Sequence, residues 1–150
     1  MAANPYEQAR WAAVEAAAPL ELVLLLFTRA LECVARARQA LAEGDIPGRA
    51  HAIQGAMDCV VELARSLNRD EQPALTQSLA ELYVFVLDRL REANFRQKAG
   101  PLDDAEPVLR TLLEAWTECR ARLQSVAPRT ALDSSPGVPA TAGSLVCGCA

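Results

Sequence analysis

The stretch IPGRAHAIQGAMDCVVELARSL, residues 46–67, carries apolar side chains at intervals that alternate between four and three residues. This spacing places them on one face of an α-helix, because a heptad completes about two turns. Asp45 can accept hydrogen bonds from the first unpaired amides, and Pro47 suits a first helical turn. The stretch therefore predicts an amphipathic helix, whose apolar row is Ile46, Ala50, Ile53, Met57, Val60, Ala64 and Leu67.

Helix-breaking residues divide the rest of the chain into similar segments. We expect a short Ala-rich helical arm over residues 5–17, a helix over 19–43 that stops at Gly44, and a helix over 73–97. A last helix is expected to begin at a cap supplied by Asp103 or Asp104 and to reach about residue 123. Because short links make successive helices antiparallel, the pattern predicts an all-α fold, an antiparallel up-and-down four-helix bundle with a short N-terminal helical arm.

The end of the chain differs in composition from the rest. After Val126, proline, glycine, serine and threonine are frequent, and no apolar periodicity continues. Such sequences cannot bury enough apolar surface to offset the entropy of ordering. We therefore expect a helical bundle domain over residues 1–127 and a disordered C-terminal tail over residues 128–150.

Composition and charge restrict the class of protein. With 150 residues the chain is expected to form one domain, and 51% hydrophobic residues make wholesale disorder improbable. The net charge is −4 and the basic residues are scattered, which disfavours nucleic-acid binding. The longest strongly apolar run, 22–27, is far too short to span a membrane, and the N-terminus does not resemble a secretory signal. We therefore expect a cytoplasmic protein with no membrane insertion.

The residues needed for catalysis or metal binding are scarce. His51 is the only histidine, and it lies between two alanines beside the apolar row of residues 46–67. A di-metal site in a helix bundle needs Glu-x-x-His pairs, but Gly48 stands three residues before His51. Cys147 and Cys149 lack further ligands nearby, and no glycine-rich phosphate loop occurs. We expect no enzyme activity, no catalytic or metal site and no cofactor.

Two of the predicted helices have more apolar residues than one buried face requires. In the helix over 19–43, Leu22, Leu25 and Leu26 lie outside the row that contains Leu24 and Phe27. The helix over 73–97 has two rows, which are Leu75, Leu79, Leu82 and Val86, and then Tyr83, Leu87, Leu90 and Asn94. The surplus can be covered by the N-terminal arm, by a second copy of the chain, or by helices of a partner that bind in a groove.

Polar residues interrupt the apolar surface of the helix over 73–97. Arg89 and Asn94 fall where the sequence is otherwise apolar. A buried amide needs hydrogen-bond partners, which either the bundle itself or the backbone of a bound peptide could supply. Both interpretations remain open at the level of sequence.

Several motifs together resemble a known family. Asn4-Pro5-Tyr6, the segment VEAAAPLELVLLLF over 14–27, the GDI of residues 44–46, LAELYVFVLDRLREAN over 79–94, and Trp116 are similar, in order and spacing, to the flagellin-specific export chaperones of the FliS family. The resemblance extends over residues 4–123. It implies a helical bundle that binds the disordered C-terminal helical segment of flagellin, prevents premature polymerisation and delivers the subunit to the flagellar export gate.

The resemblance also implies which residues bind the partner. They belong to the N-terminal arm, to the helix over 19–43 and to the helix over 73–97. A self-associating structural bundle, with a homodimer interface on its second apolar face, is the alternative function, and the chain is expected to be a monomer or a weak dimer. The expected partner-binding residues are Tyr6, Leu22, Leu25, Leu26, Leu79, Leu82, Tyr83, Leu87, Arg89, Leu90 and Asn94.

Overall fold

Four helices make up the described part of the chain. A computed structural model describes the backbone of residues 5–126 and, within that range, the side chains of residues 5–8 and 19–126. The helices are α1 (Pro5–Glu43), α2 (Ile46–Arg65), α3 (Pro73–Arg96) and α4 (Gly100–Val126), and no strand occurs among these residues. The predicted all-α four-helix bundle is therefore confirmed, whereas the predicted tail over 128–150 lies outside the described residues.

Each helix runs antiparallel to its neighbours. α1 packs against α2 and α4, and α3 packs against the same two helices, so that α1 and α3 lie diagonally across the bundle. Contacts join the early part of one helix to the late part of the next, as an up-and-down topology requires. These contacts are Cys33 Sγ against the backbone of Gly55, Arg49 with Asn94, Arg89 with Asp104, and Glu21 with Arg120.

The expected boundary at Pro19 is wrong. α1 continues through Pro19 as one helix of 39 residues, so the N-terminal arm is the first part of α1 and not a separate element. Proline removes one helical hydrogen bond, which costs about 3 kcal/mol in a helix interior. Leu20 and Leu24 are buried directly after it and hold the following turns against the core, and the alanine-rich sequence before it favours helix.

The N-terminus of α2 follows the prediction, whereas that of α4 does not. Asp45 Oδ1 accepts a hydrogen bond from the Gly48 amide at 3.0 Å, which confirms the predicted cap. α4 begins at Gly100, ahead of the predicted caps Asp103 and Asp104. The carbonyl of Ala99 accepts the amides of Leu102 and Asp103, so the backbone itself starts the helix.

The centre of the core is an aromatic contact across the diagonal. The rings of Phe27 in α1 and Tyr83 in α3 lie 6.4 Å apart, centroid to centroid, and are tilted by 45°. Phe27 is 0% exposed and Tyr83 is 2% exposed. Tilted ring pairs at this distance are favourable beyond the area that they bury. The pair therefore connects two helices whose backbones do not touch.

The apolar row predicted for residues 46–67 is not the core-facing row of α2. Ile53 and Val60 of that row are buried, but Ile46 is 56% exposed and Met57 is half-buried. The row is rotated away from the bundle axis toward α3, the side on which Arg49 meets Asn94. The residues of α2 that the core does bury are Arg49, Ala52, Ile53, Ala56, Cys59, Val60 and Leu63.

Truncation of Tyr83 tests the central contact. Tyr83→Ala removes the ring and leaves a cavity, so we expect the free energy of unfolding to fall by about 3–5 kcal/mol. Leu82→Ala, at the neighbouring position that is 38% exposed, is the matched control and should cost about 1 kcal/mol or less. Urea denaturation followed by circular dichroism measures both. Equal losses in the two variants would contradict the assignment of Tyr83 to the core.

The titration of Tyr83 gives a pH-dependent test. Burial raises the pKa of Tyr83 from 10.0 to about 12, because the ionised phenol loses its hydration. The contribution of the neutral Tyr83 phenol to the free energy of unfolding is fully present below pH 10. It is lost as the pH rises from 10 toward 12, since only the unfolded chain then releases the phenol proton. The stability of the wild type relative to Tyr83→Phe should therefore fall by up to about 1.4 kcal/mol per pH unit in this interval.

Urea denaturation of both proteins between pH 8 and pH 11 measures this difference. Burial also raises the pKa of the Cys59 thiol, but both proteins carry Cys59, so its effect cancels. A stability difference that stays constant with pH would show that the phenol of Tyr83 is not desolvated.

Candidate functional site

The edge of the bundle between α1 and α4 is closed by ion pairs. Arg38 reaches Asp103 Oδ1 and Glu106 Oε2, both at 2.7 Å, and Arg120 lies 3.3 Å from Glu21 Oε2. The hydrogen bond from Arg38 lowers the pKa of Glu106, and Glu106 in turn raises the pKa of Arg38. This α1–α4 edge therefore presents charged and polar groups to solvent.

The face of α1 toward α2 exposes leucines. Leu22 is 52% exposed, Leu25 is 62% exposed and Leu26 is half-buried. Leu22 and Leu26 lie eleven and seven residues before Cys33, which meets Gly55 of α2, so the helix repeat places them on the α2 side. Leucine side chains exposed in a cluster are uncommon on a monomer surface. The α1–α2 edge is thus partly apolar.

The face of α3 toward α4 exposes a second apolar row. Leu75, Leu82 and Phe85 are 36%, 38% and 42% exposed. Arg89 ends the row: its guanidinium carbon lies 5.7 Å from the centre of the Phe85 ring, and its Nη1 lies 2.7 Å from Glu92 Oε2. The row therefore combines apolar side chains with the Arg89 guanidinium at its end, which is kept in place by Phe85 and Glu92.

Arg89 also has an unsatisfied donor. Its Nε is buried and has no hydrogen-bond partner among the described residues, while Asp104 lies 4.0 Å from Nη1. A buried N–H without an acceptor costs free energy.

A third apolar row lies along the edge between α2 and α3. Val84 is 57% exposed, Leu87 is half-buried and Phe95 is 88% exposed. Leu87 lies seven residues before Asn94, which meets Arg49 of α2, so the row faces the α2 side. The residues of α2 on this edge are the exposed Ile46 and the half-buried Met57, both of the row predicted from the sequence.

The structure divides the predicted partner-binding residues into two groups. Leu79, Tyr83 and Leu90 are buried in the core, at 8%, 2% and 0% exposure, so their side chains face the interior of the bundle in the free protein. They face the bundle axis because Tyr83 packs on Phe27, which fixes the rotation of α3. The exposed or half-buried group is Tyr6, Leu22, Leu25, Leu26, Leu82, Leu87, Arg89 and Asn94.

Sequence reasoning missed several exposed apolar residues of α3. Val84, Phe85 and Phe95 belong to neither of the two rows identified in the sequence, yet all three are exposed. The signal was present, because an apolar residue outside every core-facing row has no neighbour in the bundle to cover it. Phe95 has the most exposed side chain among the large apolar residues of the described chain.

A cleft between α1 and α2 contains the single histidine. It has a volume of about 290 Å³ and is lined by Arg29, Cys33, Arg36 and His51 among others. Within residues 5–126 no cluster of three or more His, Cys, Asp or Glu could hold a metal ion. None of the described helices combines the length and apolar character needed to cross a membrane. Cys147 and Cys149 lie outside the described residues.

Comparison with known proteins shows similarity to one family of flagellar proteins. The sequence profile of the family "Flagellar protein FliS" matches residues 2–123. The flagellar secretion chaperone FliS of Salmonella typhimurium is 31% identical over 107 residues, covering 71% of this chain and 79% of the relative. FliS of Vibrio cholerae is 26% identical, covering 70% of this chain and 77% of the relative, and FliS of Bacillus subtilis is 29% identical, covering 77% and 85%. The chain therefore belongs to the FliS family of flagellar secretion chaperones.

Proposed function

We propose that this chain binds the C-terminal, helix-forming segment of flagellin in the cytoplasm, prevents its premature polymerisation and hands it to the flagellar export apparatus. The observation that carries the proposal is the exposed apolar surface on three of the four edges of the bundle. A chaperone that catalyses nothing acts only through such surfaces. A delivered subunit must also be released, so binding has to be reversible.

The shape of the exposed surface fits a helical partner. Each apolar edge is a row of side chains parallel to a helix axis, such as Leu75, Leu82 and Phe85 along α3. An amphipathic helix can lay its own apolar row into such a groove, with contacts at every third or fourth residue. Among the described side chains, the fourth edge, with the Arg38 and Arg120 ion pairs, offers no comparable apolar row.

The energetics suit a chaperone that must later release its partner. A segment that folds on binding gives up roughly 2–5 kcal/mol of the gross interaction free energy to ordering. Burying exposed leucine and phenylalanine side chains returns about 25 cal/mol for each Å² of apolar surface. The complex can therefore protect the segment and still dissociate at the export apparatus.

The proposed contact residues are the exposed and half-buried members of the set expected from the sequence, together with the exposed apolar residues of α3 that the sequence analysis missed. Leu79, Tyr83 and Leu90 act in this proposal by fixing the orientation of α3. The contact set is Tyr6, Leu22, Leu25, Leu26, Leu82, Val84, Phe85, Leu87, Arg89, Asn94 and Phe95.

A set of aspartate substitutions, one on each edge, tests the proposal. Leu25→Asp, Val84→Asp and Phe85→Asp place a charge on the three apolar edges at exposed positions, so the fold should be retained. Each should weaken binding of a flagellin C-terminal peptide by about 10- to 100-fold, because the partner would have to bury an unpaired carboxylate. Isothermal titration calorimetry measures the affinities, and circular dichroism measures the helix gained on mixing.

Thr117→Asp is the matched control. Thr117 is exposed on α4, eleven residues after Glu106 and three before Arg120, so it lies along the α1–α4 edge. This variant should bind the peptide as the wild type does. Wild-type affinity in all four variants, or failure of the wild type to bind the peptide, would refute the proposal.

Self-association remains the alternative, because the same apolar rows could pair with a second copy of the chain. Light scattering over a concentration series separates the two functions. The chaperone proposal expects a monomer mass, or a weak dimer that the flagellin peptide dissociates. A dimer that persists in excess peptide, with no bound peptide, would favour the structural bundle.

A further inference from the structure

Arg49 is a buried cation near the start of α2. The residue is only 6% exposed, although arginine is rarely covered to this degree without a carboxylate beside it. Its Nε donates a hydrogen bond to Asn94 Oδ1 of α3 at 3.3 Å. Asn94 is neutral, so this bond orients the guanidinium without balancing its charge.

No carboxylate of the described residues forms an ion pair with Arg49. The Arg49 side chain makes no hydrogen bond within the described part of the chain other than the one to Asn94. Within that part, Arg89 Nε is the only fully buried side-chain polar atom that lacks a partner. The two Nη atoms of Arg49 are therefore not completely enclosed, so part of the guanidinium is accessible to a ligand.

The position of Arg49 in α2 makes its charge more costly. It lies four residues after the capping residue Asp45, in the first turn, where the helix dipole already presents positive charge. The carboxylate of Asp45 is engaged in accepting the Gly48 amide, and it is exposed to solvent. A largely buried cation at a helix N-terminus is unfavourable in the free protein. A bound anion would balance the buried charge and would also interact favourably with the helix dipole.

Exposed apolar side chains occur close to Arg49 in the sequence and next to its hydrogen-bond partner Asn94. Ile46, three residues before it on α2, is 56% exposed, and Phe95, next to Asn94 on α3, is 88% exposed. A free inorganic anion would gain nothing from these side chains. A peptide that carries a carboxylate next to apolar residues could contact both the guanidinium and exposed apolar side chains of this edge such as Ile46 and Phe95.

We propose that Arg49, positioned by Asn94, binds a carboxylate of the partner segment. The site lies where the start of α2 meets the end of α3. The inference rests on the proposed function, because it names the group on the partner that this edge recognises. Within the contact set, Asn94 acts as a positioning residue, because its Oδ1 accepts the hydrogen bond from Nε and orients the guanidinium. The carboxylate fixes the register of the bound segment, while the apolar rows supply its burial.

Arg49→Met tests the proposal, because methionine keeps the apolar stem and removes the charge. The flagellin C-terminal peptide should bind this variant about 10- to 100-fold more weakly than the wild type. The free variant should be as stable as the wild type or more stable, since an uncompensated buried charge has been removed. A merely structural arginine would give the opposite result, with lower stability in the free protein.

Arg49→Lys is the second variant and keeps the charge without the planar fork. Its affinity should lie between those of the wild type and Arg49→Met. The carboxylate could be the C-terminus of the peptide or the side chain of an Asp or Glu. Comparing the peptide that has a free C-terminal carboxylate with its carboxamide tests the first source. A series of peptides in which each Asp or Glu is replaced by Asn or Gln tests the second. The peptide change that removes the true carboxylate should weaken binding to the wild type and leave binding to Arg49→Met unchanged.

Three outcomes overturn the inference in different ways. If the wild type binds the peptide and Arg49→Met binds it equally well, the carboxylate site is refuted and the proposed function stands. If every peptide modification that weakens binding to the wild type also weakens binding to Arg49→Met by the same factor, the guanidinium does not bind the carboxylate. If the wild type binds no peptide at all, the proposed function itself fails, and the inference fails with it.

Discussion

The structure depends on the packing of Tyr83 against Phe27 across the diagonal of the bundle. A helix in a four-helix bundle can turn only one face to the shared core, and this contact decides which face α3 uses. Once Tyr83 points inward, Leu82, Val84 and Phe85 are directed to the edges, where no other helix covers them. The exposed apolar surface is therefore a direct consequence of how the core is filled.

The four edges of the bundle differ in a way that suits a chaperone. The α1–α4 edge is held by ion pairs from Arg38 and Arg120, whereas the other three present leucine, valine and phenylalanine side chains. Exposed rows of this kind favour association with a partner, which we propose to be flagellin. With Arg89, the proposed carboxylate site at Arg49 would add polar determinants to surfaces that are mainly apolar, and apolar burial alone gives little specificity.

The sequence predicted those features that depend on local chemistry. The Asp45 cap, the start of α3 at Pro73 and the number of bundle helices follow from propensity and spacing. The continuation of α1 through Pro19 could not be predicted in this way, because burial of Leu20 and Leu24 offsets the cost of a proline inside a helix. Periodicity also could not tell which of two adjacent rows on α3 faces the core, since they differ by one residue. The burial of Arg49 requires α3 beside it, so no local pattern could reveal it.

Side-chain footprinting, with and without the partner, tests most directly whether a foreign helix covers the apolar edges. In the free protein, Phe85 and Phe95 should be modified readily by hydroxyl radicals, whereas Phe27, at 0% exposure, should be protected. Saturation with the flagellin segment should protect Phe85, Phe95 or both, and should leave the α1–α4 edge unchanged. Undiminished modification of both phenylalanines in a complex that demonstrably forms would contradict the account.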